Sequence, residues 1–381
     1  MTLDTVELAG EVRRRAVEEG FDVVGIARAD ALDRDGQALA AWLRSDYQAT
    51  MAWMARDPAM RADPRRVLPG CRSVIVAGMN YWPGAEATRP TAGRPRTAAY
   101  ALGRDYHKVL GRRLRRVADW LAERTETAAR AFVDTGPVLE RAWTERAGVG
   151  WIGKNANLIH PRLGSWLLLG EILSVAELDA DPGPHADRCG RCTACLDACP
   201  TRAIVEPGVV DSNLCISYWT IEHRGPVPHA IRSGIGEWIF GCDVCQEVCP
   251  WNVRFAATRA DEAFERREDL GALDAEALVG MDEGSFRARY SGTSLMRATW
   301  RGMRRNACIV LGNRGDASAL TVLGAALDDA DAMIRGHAAW AIGRIGGAVA
   351  RRALARAVDR ESDAGVREEI DLALADAARF E

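Results

Sequence analysis

CGRCTACLDACP, residues 189–200, carries Cys189, Cys192, Cys195 and Cys199 in the spacing CxxCxxCxxxCP. Such a run admits disulfides, zinc thiolates or an iron–sulfur cluster, and the spacing separates them. Zinc motifs come as separated CxxC pairs. A triplet closed by Cys-Pro is instead the bacterial ferredoxin pattern, in which three thiolates hold one [4Fe-4S] cluster and the fourth reaches a second. A second set is therefore required. It stands at Cys242, Cys245 and Cys249 in GCDVCQEVCP, one cysteine short of a repeat, and Cys215 in DSNLCISYW supplies the eighth ligand. Cluster one then takes Cys189, Cys192, Cys195 and, crossing over, Cys249. Cluster two takes Cys199, Cys215, Cys242 and Cys245. Pro200 and Pro250 are read as stops for the helices that would otherwise run on. Two adjacent clusters form a one-electron wire, which implies an acceptor nearby.

The rest of the chain bounds the setting. Its 381 residues are 48% hydrophobic and 27% charged, as suits a soluble protein of two or three domains. The N-terminal MTLDTVELAGEVRRRAVEEG has no basic-then-apolar signal pattern, and no run approaches the roughly 20 apolar residues of a membrane helix, so a cytoplasmic location is expected. Thiols stay reduced there, which favours ligands over disulfides for the ten cysteines. Cys71 and Cys308 lie in apolar surroundings and read as buried, inert thiols. With a net charge of -3, any nucleic-acid partner has to be met by a local basic patch.

Helical and strand patterns alternate over the first 175 residues. A helix is expected over residues 5–19, with Val6, Val12 and Ala16 on one face and Gly20 as its stop. FDVVGIA, CRSVIVAGMNYW, ARAFVDTG and GSWLLLGEILS read as strands, and DYHKVLGRRLRRVADWLAER as an amphipathic helix. The class is α/β or α+β. Residues 83–97, rich in Pro, Gly and Arg, read as a long surface loop. Residues 176–255 carry the clusters and are loop-rich, because metal stands in for a core. In the tail, RNACIVLGNRG (305–315) aligns on GHAAWAIGRIG (336–346) at a shift of 31, pairing Ala307 with Ala338, Leu311 with Ile342, Gly312 with Gly343 and Gly315 with Gly346. That period is a short solenoid of HEAT type, with VREEIDLALADAA as a cap, and such repeats speak to a macromolecular partner. The expected division is 1–175 catalytic, 176–255 cluster-binding and 256–381 helical repeat.

Together these pieces resemble the epoxyqueuosine reductase family. The likeness runs through LGRDYHKVL (102–110), VDTGPVLERAWTERAGVGWIGKN (133–155), the cluster core, ISYWTIEHRGPVP (216–228), CDVCQEVCPWN (242–252) and IRGHAAWAIGRIG (334–346). It implies an α+β, nitroreductase-like α/β sandwich, a ferredoxin-like two-cluster segment and a HEAT-like tail. The activity it implies is a cobalamin-dependent reduction of the epoxide on epoxyqueuosine at the tRNA wobble position, the last step of queuosine synthesis. An external electron donor and a monomer are expected with it. The sequence has no DxHxxG to donate a lower axial histidine, in keeping with base-off cobalamin.

Reductive epoxide opening needs a strong nucleophile or electron donor and a proton for the departing oxygen. Cob(I)alamin supplies the first by this resemblance, and Asp134 of VDTGP the second; burial against the corrin face should raise its pKa. Read from the residues alone, Asp-Thr-Gly after a strand is an Asx turn. GWIGKN brings glycines for close backbone approach, with Lys154 and Asn155 for the corrin's amide rim. Further corrin contacts implied by the family pattern are Arg61, Tyr100, Leu158, Leu169, Ser217 and Asp243.

For tRNA, TSLMRATWRGMRRNA places Arg297, Arg301, Arg304 and Arg305 along one helical face beside Trp300, as phosphate binding requires. His223 and Arg224 of IEHRGPVPH are expected at the lip of a pocket for an extruded base. Two rivals share some of these parts. A dehalogenase-like corrinoid reductase of small molecules has no use for the arginine-studded repeat, and a plain electron carrier leaves residues 1–175 without a task.

Overall fold

The computed structural model describes residues 4–89, 91–258 and 261–377. Packing sorts the chain into two compact units, one of residues 1–87, 103–213 and 243–265 and one of residues 88–102, 214–242 and 266–381. The division expected along the sequence is a different partition, because the chain passes from one unit to the other several times.

The first unit is built on a sheet of β1 (Val23–Arg28), β2 (Ser73–Asn80), β3 (Ala129–Phe132) and β4 (Leu167–Ser174), in the order β1-β2-β4-β3. Every pairing is antiparallel, with Ile26 opposite Ile75 and Glu171 opposite both Val76 and Phe132. All eight residues of β2 are buried, which explains why the segment is apolar throughout instead of alternating. Helices cover both faces. On one face lies α2 (Tyr106–Thr125), whose Leu114 fills the space that a side chain at Gly170 would need. Asp4 caps α1 (Thr5–Glu18), which buries Leu8, Ala9, Val12 and Ala16; Val6, expected on that face, is 61% exposed. On the other face α3 (Glu140–Arg146) sets Ala142 and Trp143 against Val74, Val76, Leu158 and Leu173. This is the α+β sandwich that the pattern implied.

In the second unit the repeat is a stack of α4 (Thr299–Arg314), α5 (Ala332–Ile345) and α6 (Ala364–Ala377). The residues paired by the shift of 31 do equivalent jobs. A side-chain carbon at Gly312 would lie 2.8 Å from the Ala341 Cα, and one at Gly343 would lie 2.7 Å from the Ala373 Cα, so each helix touches the next through a glycine. Gly315 and Gly346 end their helices at φ 73° and 71°, a left-handed conformation that glycine adopts without strain. The loop expected over 83–97 is more structured than its composition suggests. It contains a short helix, Ala85–Thr88, and ends in Arg96–Thr97, which pairs in parallel with Trp238–Phe240 through bonds such as Arg96 N–H to Glu237 O at 2.8 Å.

Replacing Gly343 with valine should lower stability by about 1–3 kcal/mol, because the backbone of α6 has to move to admit the branched side chain. Gly324→Ala is the control, since nothing lies within 4 Å of the position. Denaturant unfolding of the two variants should separate them, the control matching or exceeding wild type.

Candidate active site and cluster ligands

Beyond β3 the chain turns sharply at Asp134, whose φ of 56° is a left-handed conformation that aspartate tolerates better than most residues. Its backbone N–H donates to the Glu140 carboxylate at the start of α3. Its side chain, 37% exposed, meets His107 Nε2 at 2.9 Å, and the opposite ring nitrogen, Nδ1, lies 2.8 Å from Asp105. Asp105 also caps α2 by accepting from the His107 backbone N–H at 3.1 Å. A helix start thus fixes an imidazole between two carboxyl groups.

Three acids gather around this loop. Burial first, and then the neighbouring charge of Asp134, raises the Glu140 carboxyl to about 7. Glu171 projects from β4 with no exposure, and neither carboxyl oxygen has a partner among the described residues. Burial, with Glu140 and Asp134 adding repulsion, holds it well above the usual carboxylate range. Arg141 donates to the Ala156 carbonyl, and desolvation weakens its charge although solvent still touches it. Arg61 stands at the same loop, donating to the Gly136 and Trp53 carbonyls at 3.5 and 2.9 Å, and its buried Nε–H has no partner among the described residues. That unsatisfied donor fits a carbonyl of a corrin side chain.

Other expected corrin contacts are placed differently. The Lys154 ammonium donates to Gly190 O at 2.7 Å and Cys192 O at 2.9 Å, and buried Asn155 donates to Cys245 O at 3.2 Å. Their polar ends hold the two cysteine-bearing loops. Leu158 is a core residue beside Trp143, with Leu169 packed on the same layer. Asp243 is buried at the head of the short helix Val244–Glu247. In the second unit, Tyr100 lies 6.1 Å from Phe240, and Ser217 precedes the turn Tyr218–Glu222.

None of the ten cysteines is in a disulfide. Cys249 is packed with Trp151 and Ile159, and Cys189 and Trp251 close over them. Burial raises the Cys195 thiol, and the neighbouring Cys189 and Cys249 add to the shift. Pro250 does not stop a helix; it starts one, Pro250–Phe255, at the position where a missing N–H is harmless. Cys199 and Cys245 belong to the first unit, Cys215 and Cys242 to the second. No three His, Cys, Asp or Glu side chains among the described residues converge tightly enough to hold a single metal ion. Burial pushes Cys71 to about 11 and Cys308 to about 12, leaving both inert.

In the second unit the row of four arginines is not a solvent-facing row. Arg305 is fully buried, and its guanidinium donates to the carbonyls of Trp219, Gly225 and His223 at 2.6, 2.7 and 3.0 Å. Arg304 is 6% exposed, stacked on Trp300 and bonded to Asp329. Helical spacing gave a shared face, but the face is turned inward, where these two arginines hold loops. Arg301 is exposed and paired with Asp331; Arg297 is half-buried; Arg224 is exposed and donates to Ile221 O at 2.7 Å. His223 lies on Trp219, its Nε2–H donating to Pro226 O at 3.0 Å and its Nδ1 accepting from the Tyr218 hydroxyl at 3.1 Å.

Sequence reasoning missed His107, Glu140, Arg141 and Glu171 as site residues. The first three stand inside quoted motifs, and Glu171 is the single charge in an otherwise apolar strand, which is itself a signal.

An α+β unit with three acids gathered at one loop, joined to a segment rich in cysteines, is the make-up of an iron–sulfur oxidoreductase. Family models match in three places: a 4Fe-4S double cluster binding domain over residues 188–252, epoxyqueuosine reductase QueG, DUF1730, over 61–135, and HEAT repeats over 295–375. The chain is 45% identical to the epoxyqueuosine reductase of Synechococcus sp. (strain CC9605) over 312 residues, 81% of this chain and 95% of that one. To the Vibrio cholerae enzyme it is 41% identical over 315 residues, 82% and 85% of the two chains. Among solved structures, an epoxyqueuosine reductase with a tRNA-Tyr epoxyqueuosine-modified stem loop superposes at a TM-score of 0.92 and 30% identity, covering 98% of this chain and 99% of that one. The Bacillus subtilis enzyme, with its aspartate-bearing catalytic loop swung out of the active site, gives 0.90 at 30% identity over 97% and 99%. The chain belongs to the epoxyqueuosine reductase family. No helix among the described residues is long and apolar enough to cross a membrane.

The raised Glu140 carboxyl gives a pH signature. An acid whose folded pKa lies above its unfolded 4.5 favours the folded state fully at low pH, and that contribution falls away as pH rises through about 7. Glu140→Gln, which keeps an oxygen to accept from Asp134 N–H, should therefore gain about 1–2 kcal/mol on wild type between pH 5 and pH 8 in denaturant titrations. Parallel stability curves for the two proteins would remove the shift.

Proposed function

We propose that the chain reduces the epoxide of epoxyqueuosine, at the wobble position of tRNA, to queuosine. Two [4Fe-4S] clusters, held by the eight thiolates, would supply single electrons, cobalamin would supply the reducing centre, and Asp134 is the proton donor. The observation that carries this reading is the match, along nearly the whole chain, to a reductase crystallised with an epoxyqueuosine-modified stem loop. Residues 1–175 form the catalytic portion, 176–255 the cluster portion and 256–381 the tRNA-contacting repeat, in a cytoplasmic monomer served by an external reductant.

Bound cobalamin supplies a strongly reducing cobalt centre that the side chains do not provide. The protein's own task is positional and protic. Arg61 presents its unsatisfied Nε–H to the cofactor's amide edge, with Tyr100, Leu169, Ser217 and Asp243 as further contacts. Asp134, on a left-handed turn that leaves its carboxyl partly exposed, gives its proton to the oxygen leaving the ring carbon. Glu140 and Glu171, both raised by burial and by the charge of Asp134, make the surroundings of this acid unfavourable to further negative charge. Cys189, Cys192, Cys195 and Cys249 hold one cluster; Cys199, Cys215, Cys242 and Cys245 hold the other. His223, with Trp219 and Tyr218 around it, and Arg224, Arg297 and Arg301 contact the tRNA, while Arg304 and Arg305 keep that surface in shape.

Anaerobic incubation with cobalamin, a low-potential reductant and epoxyqueuosine-containing tRNA, followed by nucleoside analysis, should yield queuosine. Asp134→Asn should keep the cobalamin-induced spectral change and lose turnover by about 10²- to 10⁴-fold. Epoxide reduction at the wild-type rate by that variant would remove Asp134 from the acid role. In tRNA binding, Arg224→Gln and Arg301→Gln should each flatten the dependence of log K on log salt by about one unit. An unchanged slope would return both residues to an ordinary solvated surface.

A further inference from the structure

We infer that His107 is a positioning residue that orients Asp134 and reloads it with a proton, an inference that rests on Asp134 being the proton donor. Reducing an epoxide to an alkene consumes two electrons and two protons and releases one water. One proton turns the opened oxygen into a hydroxyl, and the second lets that hydroxyl depart as water. A single carboxyl at the site delivers one and must then be recharged before it can deliver another.

The geometry supplies the means. Asp105 is held at the start of α2 by accepting from the His107 backbone N–H, and the same Oδ1 meets Nδ1 at 2.8 Å. A carboxylate there can only accept, so Nδ1 carries hydrogen in either charge state of the ring. Nε2 is thereby left to face Asp134 Oδ2 at 2.9 Å. With Asp134 ionised, the imidazolium donates Nε2–H to it; with Asp134 protonated and the ring neutral, the carboxyl O–H donates to Nε2. One proton crosses one hydrogen bond, and no heavy atom moves. After Asp134 protonates the substrate oxygen, imidazolium Nε2–H passes to the carboxylate, leaving neutral His107 and a recharged acid. The ring, 20% exposed, then recovers its proton from solvent. Tyr106 packs on the ring with centroids 4.1 Å apart, which limits its rotation. Charged groups that face the pair include Asp105 at the start of its own helix, Glu140 beside Arg141 on α3, and Glu171 on β4.

The sequence explains why this arrangement is built in. In RDYHK one aspartate serves at once as helix cap and imidazole anchor, so the ring is oriented by the same bond that starts the helix.

His107→Gln tests it. Glutamine can donate to Asp134 but carries no exchangeable proton in this pH range. The expected result, in single turnover with cobalamin-loaded enzyme and epoxyqueuosine tRNA, is a rate reduced about 10- to 100-fold. The wild-type decline of rate on imidazole deprotonation should be absent, with tRNA affinity and the cobalamin spectrum unchanged. Independently of turnover, nitrogen NMR of labelled histidine should show Nδ1 protonated throughout and a His107 titration that moves downward in Asp134→Asn, where the neighbouring negative charge is gone. A wild-type rate and pH profile in His107→Gln, alongside an inactive Asp134→Asn, would overturn the role of His107 alone. Turnover retained in Asp134→Asn would overturn the proton-donor reading and the reloading role together. A His107 titration indifferent to Asp134→Asn would sever the pair whatever the activities.

Discussion

Cys249 has to come back against Cys189 and Cys195, although more than forty residues separate it from them, and much of the first unit is arranged to make that return possible. Trp151 and Ile159 form the apolar seat on which Cys249 and Cys189 rest, with Trp251 edge-on to Trp151 at 4.8 Å. These residues lie on the small hairpin Trp151–Ile152 and Leu158–Ile159. Between its strands stand Lys154 and Asn155, which grip the two cysteine loops through their carbonyls. The hairpin is tied in turn to α3, where Glu145 accepts from Ile152 N–H at 2.9 Å and Arg141 donates to Ala156 O. Because α3 begins at Glu140, which holds the backbone of Asp134, the cluster loops and the acid share one continuous set of polar contacts.

The acid end of that set is electrostatically unusual. Asp134, Glu140 and Glu171 gather beside Arg141, whose charged form is itself disfavoured by desolvation. Burial and mutual repulsion raise Glu140 to about 7 and Glu171 well above the usual carboxylate range, a setting that favours protonated carboxyls. His107 bridges the group to Asp105 and to solvent, giving it a path along which protons return.

Much of this was legible in the residues, and what was not has physical reasons. Cysteine spacing marked the double-cluster segment because cluster geometry constrains that spacing directly, and apolar runs such as SVIVAGMN marked the sheet because both its faces are covered. The repeat was read correctly down to Gly312 and Gly343, whose shared role is close helix contact. The arginines misled because spacing reports a common face without saying whether that face meets water; Arg305 turned out to be an interior clamp on the 219–225 turn. Lys154 and Asn155 were read by motif as corrin contacts, and their bonds to carbonyls of the cysteine loops were not foreseen, because those bonds form across the fold. His107 escaped notice because its importance lies in two hydrogen bonds, one to a neighbour in sequence and one across the fold.

The crossing of the ligands is tested most directly by iron content and electron paramagnetic resonance of anaerobically purified cysteine variants. If the thiolates interleave, Cys249→Ser and Cys189→Ser lose the same cluster signal and fall together from about eight irons per chain to about four, while Cys245→Ser loses the other signal. Loss of one common signal in Cys249→Ser and Cys245→Ser, with Cys189→Ser losing a different one, would mean that each cysteine run holds its own cluster and that the crossing does not exist.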